Sequence, residues 1–115
     1  MHYKGIYHRD IKMENIFGKI DRFVLGDFGH AKQVGVLEGS HWKKTYDAKR
    51  TVMIGSRYTK APEILIKDKY SQKIDLYSAM LVFYEMLTGL PAFYIPPSDK
   101  LTSEQADNSL YNYIK

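Results

Sequence analysis

His8-Arg9-Asp10-Ile11-Lys12-Met13-Glu14-Asn15, followed further on by Asp27-Phe28-Gly29, is the part of this chain whose reading decides the fold. Between the two runs lie Asn15-Ile16-Phe17 and Phe23-Val24-Leu25, short apolar segments separated by Gly18-Lys19-Ile20-Asp21-Arg22, and this pattern predicts a β-hairpin. Asp10, Asn15 and Asp27 each have an ordinary explanation as turn-capping side chains, because short carboxylates and carboxamides bond local backbone readily. That explanation serves each residue singly and serves the three poorly as a set. A hairpin returns both strand ends to one edge, and the three oxygen-bearing side chains would meet there.

Working outward, the sequence from Gly29 to Gly55 has no period and is rich in glycine and polar residues, which predicts a long loop. Loops of that length inside a compact domain are usually functional. Ala61-Pro62-Glu63 opens a short helix through Lys67, with Pro62 in the first turn. Asp75 to Leu87 is apolar nearly all round and ends at Thr88-Gly89, so it is expected to be the most buried helix of the chain. At the other end, Met1 to Gly5 resembles the end of a helix stopped by glycine. Thr102 to Lys115 carries Leu110, Tyr111 and Ile114 at helical spacing, but Ser103 with Ala106-Asp107 makes a poor helix start.

In order and spacing these segments resemble the eukaryotic protein kinases, whose catalytic loop reads H-R-D-x-x-x-x-N and whose metal-binding turn reads D-F-G. Ala61-Pro62-Glu63 resembles the close of that family's activation segment, and Asp75-x-x-Ser78 the start of the buried helix that anchors the catalytic loop. The fold implied is mainly α with a small β-hairpin, a kinase C-lobe lacking its N-lobe and last helices. Residues 1–115 would form one partial domain with the catalytic loop at 8–15, the metal turn at 27–29, the activation segment at 27–63 and the central helix at 75–87. The resemblance implies ATP and Mg2+ as cofactors and phosphoryl transfer to a protein substrate. Such chemistry asks for positioning and charge neutralisation, and oxygen ligands suit magnesium. Asp10 would orient the acceptor hydroxyl and take its proton, while Lys12 would neutralise the phosphoryl group in transfer. Asn15 and Asp27 would hold metal, and Phe17 would lie under the adenine ring with Val82 and Met86 beneath it.

The same resemblance gives supporting roles to other residues. His8 and Phe28 would pack in a hydrophobic spine beside Gly29, and Asp75 would bond the catalytic-loop backbone. Glu63 would pair with an arginine beyond this sequence. Arg9 marks kinases switched by loop phosphorylation, with Thr45, Tyr46 and Thr51 as candidate acceptors. Lys12 implies serine or threonine as acceptor, and Ser56, beside Arg57, would link Lys12 to Asp10 through its hydroxyl. Gly55 to Glu63 resembles the glycogen synthase kinase and casein kinase branch.

Composition sets outer bounds. At 115 residues there is room for one small domain. The absence of cysteine excludes disulfides and thiolate chemistry and fits a cytosolic or nuclear setting. No apolar run approaches membrane-spanning length. The net charge of +4, with Lys43, Lys44, Lys49 and Arg50 close together, reads as a solvated loop, because the basic-aromatic alternation of single-strand binders is absent. Neither nucleic acid nor membrane is expected as a partner.

The sequence departs from the family at Tyr77 and Met80, where tryptophan and glycine are usual, and at Gly18, where an aliphatic residue is usual. No glycine-rich loop and no strand lysine precede His8. Two readings follow: a serine/threonine kinase whose remaining parts lie outside this sequence, or a catalytically silent kinase-like unit that docks substrates or a partner kinase. Retention of Asp10, Lys12, Asn15 and Asp27 together favours the enzyme.

Overall fold

The computed structural model describes residues 1–38, 41–44, 56–96 and 99–115. Thr45, Tyr46 and Thr51 lie outside the described residues.

Among the described residues, three two-stranded antiparallel sheets stand where the sequence predicts one hairpin. The expected hairpin joins β2 (Ile16–Lys19) to β3 (Arg22–Leu25), with Ile16 opposite Leu25 and Lys19 opposite Arg22, so Ile20-Asp21 forms the turn. Gly18 faces Phe23 across this pair, and a Cβ at Gly18 would come within 2.8 Å of the Phe23 ring. A second pair joins β1 (Ile6–Tyr7) to β4 (Lys32–Gln33) and so ties the approach to the 8–15 loop to the chain beyond Asp27-Phe28-Gly29. Val34 N–H donates to Gly5 O at 2.6 Å and extends this pairing. The chains approach so closely that a Cβ on Gly5, whose φ is 65°, would lie 2.6 Å from the Gly35 Cα. Only glycine meets both demands.

The third pair, β5 (Gly35–Glu38) with β6 (His41–Lys44), corrects the reading of residues 29–55 as one irregular loop. Strands of two and four residues are too short to print an alternation that survives among polar neighbours.

Among the described residues, three α-helices follow. α1 (Pro62–Leu65) begins with Pro62 in its first turn and stops short of Lys67, whose φ is 57°. α2 (Lys73–Thr88) ends at Gly89, in the left-handed region at φ 75° with its N–H donating to Glu85 O. α3 (Ser103–Ile114) opens on a capping box: Thr102 Oγ accepts from Gln105 N at 3.3 Å, and Gln105 Oε1 accepts from Thr102 N at 2.8 Å. That reciprocal pair satisfies two otherwise orphaned donors, and it sits one residue before the start that the sequence reading considered.

The expectation that residues 75–87 form a helix buried on all sides is corrected. Ile74, Asp75, Ser78 and Val82 are buried and define one stripe, whereas Met80 is 65% and Leu87 70% exposed. Among the described residues, packing partners reach that stripe and Tyr77 beside it. α3 has a comparable inner stripe of Ala106, Asp107 and Leu110. The core gathers Tyr7, Val34, Ala61, Tyr70 and Ile74, with Ile64 and Tyr77 packed against it. The Tyr77 hydroxyl is buried without a hydrogen-bond partner among the described residues. Burial and the neighbouring Glu63 charge push its phenol above the ordinary tyrosine value.

Candidate active site

The site starts from Asp75. Its carboxylate, on the inner face of α2, accepts from His8 N–H and Arg9 N–H at 2.8 Å each and from His2 Nε2 at 2.7 Å. Those bonds hold the backbone where Arg9 takes φ 67°, a left-handed conformation costly for a residue with a side chain. His8 is fully buried and is fixed twice more: Nε2 donates to Gly26 O at 2.9 Å, and its ring meets Phe28 edge-on at 4.9 Å. The 8–15 loop is thereby bound to α2 on one side and to the 26–28 turn on the other. Arg9 reaches the same turn, with Nε donating to His30 O at 2.8 Å, and its Nη1 donates to the Tyr70 hydroxyl at 3.1 Å.

Asp10 follows immediately and is 2% exposed. Oδ2 faces Lys12 Nζ at 3.0 Å, Asn15 Nδ2 at 3.2 Å and His30 Nδ1 at 3.3 Å, while Oδ1 accepts from Ser56 N–H at 3.1 Å. Burial pushes this carboxyl up, but the Lys12 bond and charge, the Ser56 N–H and the Asn15 amide together hold it below the ordinary carboxylate value. Lys12 is held above the ordinary lysine value, chiefly by its bond to Asp10 against the opposing effect of burial, with the charges of Asp10, Glu14 and Asp27 adding to it. The signs fix a pH window. A depressed carboxylate contributes stability above its unfolded pKa and loses it as pH falls through the folded value. A raised lysine contributes below its unfolded pKa and loses that contribution as pH rises through the folded value. The destabilisation caused by Asp10→Asn is therefore expected to be greatest and flat around neutrality and to shrink in acid. Denaturant titrations of both proteins across pH test this, and a difference that grows in acid would reverse the assignment.

Asn15 Nδ2 also donates to Asp10 O at 2.8 Å, so the amide nitrogen is turned towards Asp10 and the carboxamide oxygen the other way. Gly26 N–H donates to Asn15 O at 2.9 Å, which closes the hairpin and sets Asp27 at the same end as Asn15. Asp27 has φ 55°, and its Oδ1 accepts from Gly29 N–H at 3.2 Å. One carboxylate and one carboxamide oxygen at a shared edge are hard ligands of the kind magnesium would take, and Asp27 and Asn15 are the residues that would hold it. Among the described residues no group of three His, Cys, Asp or Glu side chains forms a self-sufficient metal cage.

The remaining residues divide. Ser56 reaches Asp10 through its backbone N–H, which corrects the expected hydroxyl link between Lys12 and Asp10. Arg57 turns away towards α3, where Nε donates to Asp107 Oδ1 at 2.9 Å. Phe17 is 58% exposed, and its ring lies close enough to Gly26 that a Cβ there would be 2.6 Å away. Val82 is buried, and Met86 is nearly half exposed. Glu63 sits in the first turn of α1, near the Tyr77 hydroxyl. His2, His30 and Asp107 enter the site without having been picked out in the sequence. For His2 and His30 no local signal existed. For Asp107 the signal was an acidic residue on the apolar face of an amphipathic helix.

The model of the protein kinase domain matches residues 1–114. The chain belongs to the protein kinase domain family. MAPK/MAK/MRK overlapping kinase of Mus musculus is 44% identical over 94 residues, which is 81% of this chain and 20% of that protein. The human protein of the same name is 43% identical over the same length. Serine/threonine-protein kinase STE20 of Saccharomyces cerevisiae is 35% identical over 94 residues, covering 81% of this chain and 9% of that protein. This kinase-family chain thus spans a fifth or less of those relatives. Their names lend no support to a placement beside glycogen synthase kinase or casein kinase. No helix of the described residues is long and apolar enough to cross a membrane.

Proposed function

We propose that this chain is the catalytic-loop and activation-segment part of a longer domain that transfers the γ-phosphoryl group of ATP to serine or threonine of a protein. The observation that carries the reading is the environment of Asp10: a buried carboxylate kept charged, with a lysine on one oxygen and the backbone of the 56–60 segment on the other. In that setting Asp10 orients an acceptor hydroxyl and takes its proton as the oxygen attacks phosphorus. Lys12, two residues along on an extended backbone, places a positive charge beside the same point. Asn15 and Asp27 offer oxygens to magnesium, which when bound would neutralise the phosphates. Transfer of this kind depends on positioning and electrostatics, which a loop pinned to a helix supplies. Serine or threonine is favoured as acceptor by Lys12 and by the serine/threonine kinases among the relatives. The Gly55 to Glu63 resemblance to the glycogen synthase kinase and casein kinase branch leaves this acceptor class unchanged.

In the full-length protein, Asp27→Asn is expected to abolish magnesium-dependent transfer. Asp10→Asn is expected to lower turnover by about 10²–10⁴-fold, the usual weight of a general base, with nucleotide affinity nearly unchanged. Magnesium–ATP titration and phosphoamino-acid analysis of a phosphorylated peptide library check both points. Loss of nucleotide binding in Asp10→Asn would mean that the two roles are exchanged, and predominant phosphotyrosine would overturn the acceptor class.

A further inference from the structure

Beside the Tyr58 hydroxyl bond to Ile95 O at 2.8 Å, the segment 56–60 is held at three further points, and the chemistry above uses only the first of them. Ser56 N–H bonds the Asp10 carboxylate, and the Ser78 hydroxyl of α2 donates to Thr59 O at 2.6 Å. The third point is Asp107 on the inner face of α3. It is 7% exposed and takes both cations of the segment: Arg57 Nε at 2.9 Å on Oδ1 and Lys60 Nζ at 3.4 Å on Oδ2. A single carboxylate can do this because residues 57–59 form a 3₁₀ turn, in which side chains three apart eclipse one another. Arg57 Nη2 also donates to Ser103 Oγ at 3.2 Å, in the first turn of α3. The Lys60 ammonium is itself largely withdrawn from solvent. A buried carboxylate bridging two cations on one turn fixes that turn firmly, because freeing either partner leaves an uncompensated charge inside.

We infer that Asp107 is a positioning residue for the protein acceptor: through Arg57 and Lys60 it sets the 57–59 turn, and through the turn the Ser56 N–H that faces Asp10. The inference rests on the reading of residues 56–60 as the acceptor-facing segment. Asp107 touches neither nucleotide ligands nor Asp10, so its effect falls on the acceptor and not on ATP.

The experiment uses the full-length protein and three variants, with hydrogen exchange and steady-state kinetics measured on each. Asp107→Asn removes the charge and one acceptor oxygen at constant shape, and Asp107→Glu keeps the carboxylate. Glu104→Gln cuts the exposed 2.6 Å contact between α3 and Lys67 while leaving Arg57 and Lys60 alone. Asp107→Asn is expected to speed amide exchange at residues 56–60 and to raise KM for a peptide acceptor by roughly tenfold or more, the weight of a charge-assisted bond. KM for ATP and exchange in residues 8–15 are expected to stay within about twofold, since neither depends on a bond to Asp107. Asp107→Glu is expected to recover most of the acceptor affinity, and Glu104→Gln to resemble the wild type. Unchanged exchange at 56–60 in Asp107→Asn would overturn the inference, as would an equal effect from Glu104→Gln, which would trace the change to loosened docking of α3. Faster exchange with an unchanged acceptor KM would instead overturn the reading of the segment as acceptor-facing.

Discussion

Asp75→Ala is expected to cost about 3–5 kcal/mol of folding stability, because two backbone donors in the interior lose their partner together and each such orphan costs roughly 1–3 kcal/mol. The donors are His8 N–H and Arg9 N–H, at 2.8 Å from the two carboxylate oxygens, beside a His8 side chain that is fully buried. The loss does not stop at the bonds. Arg9 holds φ 67°, and with the restraint gone it is free to relax towards an ordinary conformation, carrying Asp10 with it. His2→Ala removes a partner that is one-quarter exposed and can be replaced by water, so its cost is expected to be near 1 kcal/mol. Urea unfolding of the three proteins gives the comparison. Asp75→Ala with the wild-type midpoint would show that the loop is held by its other contacts, and the account of the site would have to be rebuilt around His8.

What the sequence disclosed and what it hid follow from how local each cause is. The hairpin was legible because two short apolar runs and the turn-forming residues between them are local facts. The edge shared by Asn15 and Asp27 followed from it. The close of α2 at Gly89 and the opening of α1 at Pro62 were legible for the same reason, since each depends on the backbone freedom of one residue. The cause of the α3 start is local as well: Thr102 and Gln105 spell a capping box, whereas Ser103 with Ala106-Asp107 makes a poor helix start. The contacts of His2 with Asp75 and of His30 with Asp10 are of another kind. They join residues separated by 73 and 20 positions through the meeting of loops, and a lone histidine carries no mark of its future partner. β4 and the β5–β6 hairpin were hidden by brevity, and β4 exists through its pairing with β1.

Helix α2 shows how composition can mislead about burial. A segment such as Leu76-Tyr77-Ser78-Ala79-Met80-Leu81-Val82-Phe83 is apolar on every face, and all-round burial is the natural inference. The structure buries the stripe through Ile74, Ser78 and Val82, while Leu76, Met80 and Phe83 each remain more than half exposed. An apolar sequence states what a helix tolerates, and the stripe that is packed is set by what lies against it. Ser78 makes the point from the other side. It is a polar residue inside the stripe, kept there because its hydroxyl donates to Thr59 O and holds the 57–59 turn to the helix.

That distinction makes a sharp prediction for two substitutions on the same helix. Val82 is 2% exposed and Met80 is 65% exposed, only two positions away on the opposite side. Val82→Asp would put a carboxylate in the buried stripe of α2, and the protein must either bury the charge or hold the group protonated. Either way the expected loss is about 3–5 kcal/mol, a large fraction of the stability of a small domain. Met80→Asp in the same 115-residue chain places the charge in water, where surface substitutions usually stay within about 0.5 kcal/mol. Val82→Ala, which leaves a cavity without a charge, is expected to fall between the two. Denaturant midpoints measured side by side decide the matter, with an unchanged m-value showing that each variant unfolds from the same compact state. Equal losses for Val82→Asp and Met80→Asp would mean that both faces of α2 are packed, as the apolar sequence by itself suggests. Equal tolerance of both would mean that the helix is not part of the core, and the attachment of the 8–15 loop through Asp75 would lose its rigid base.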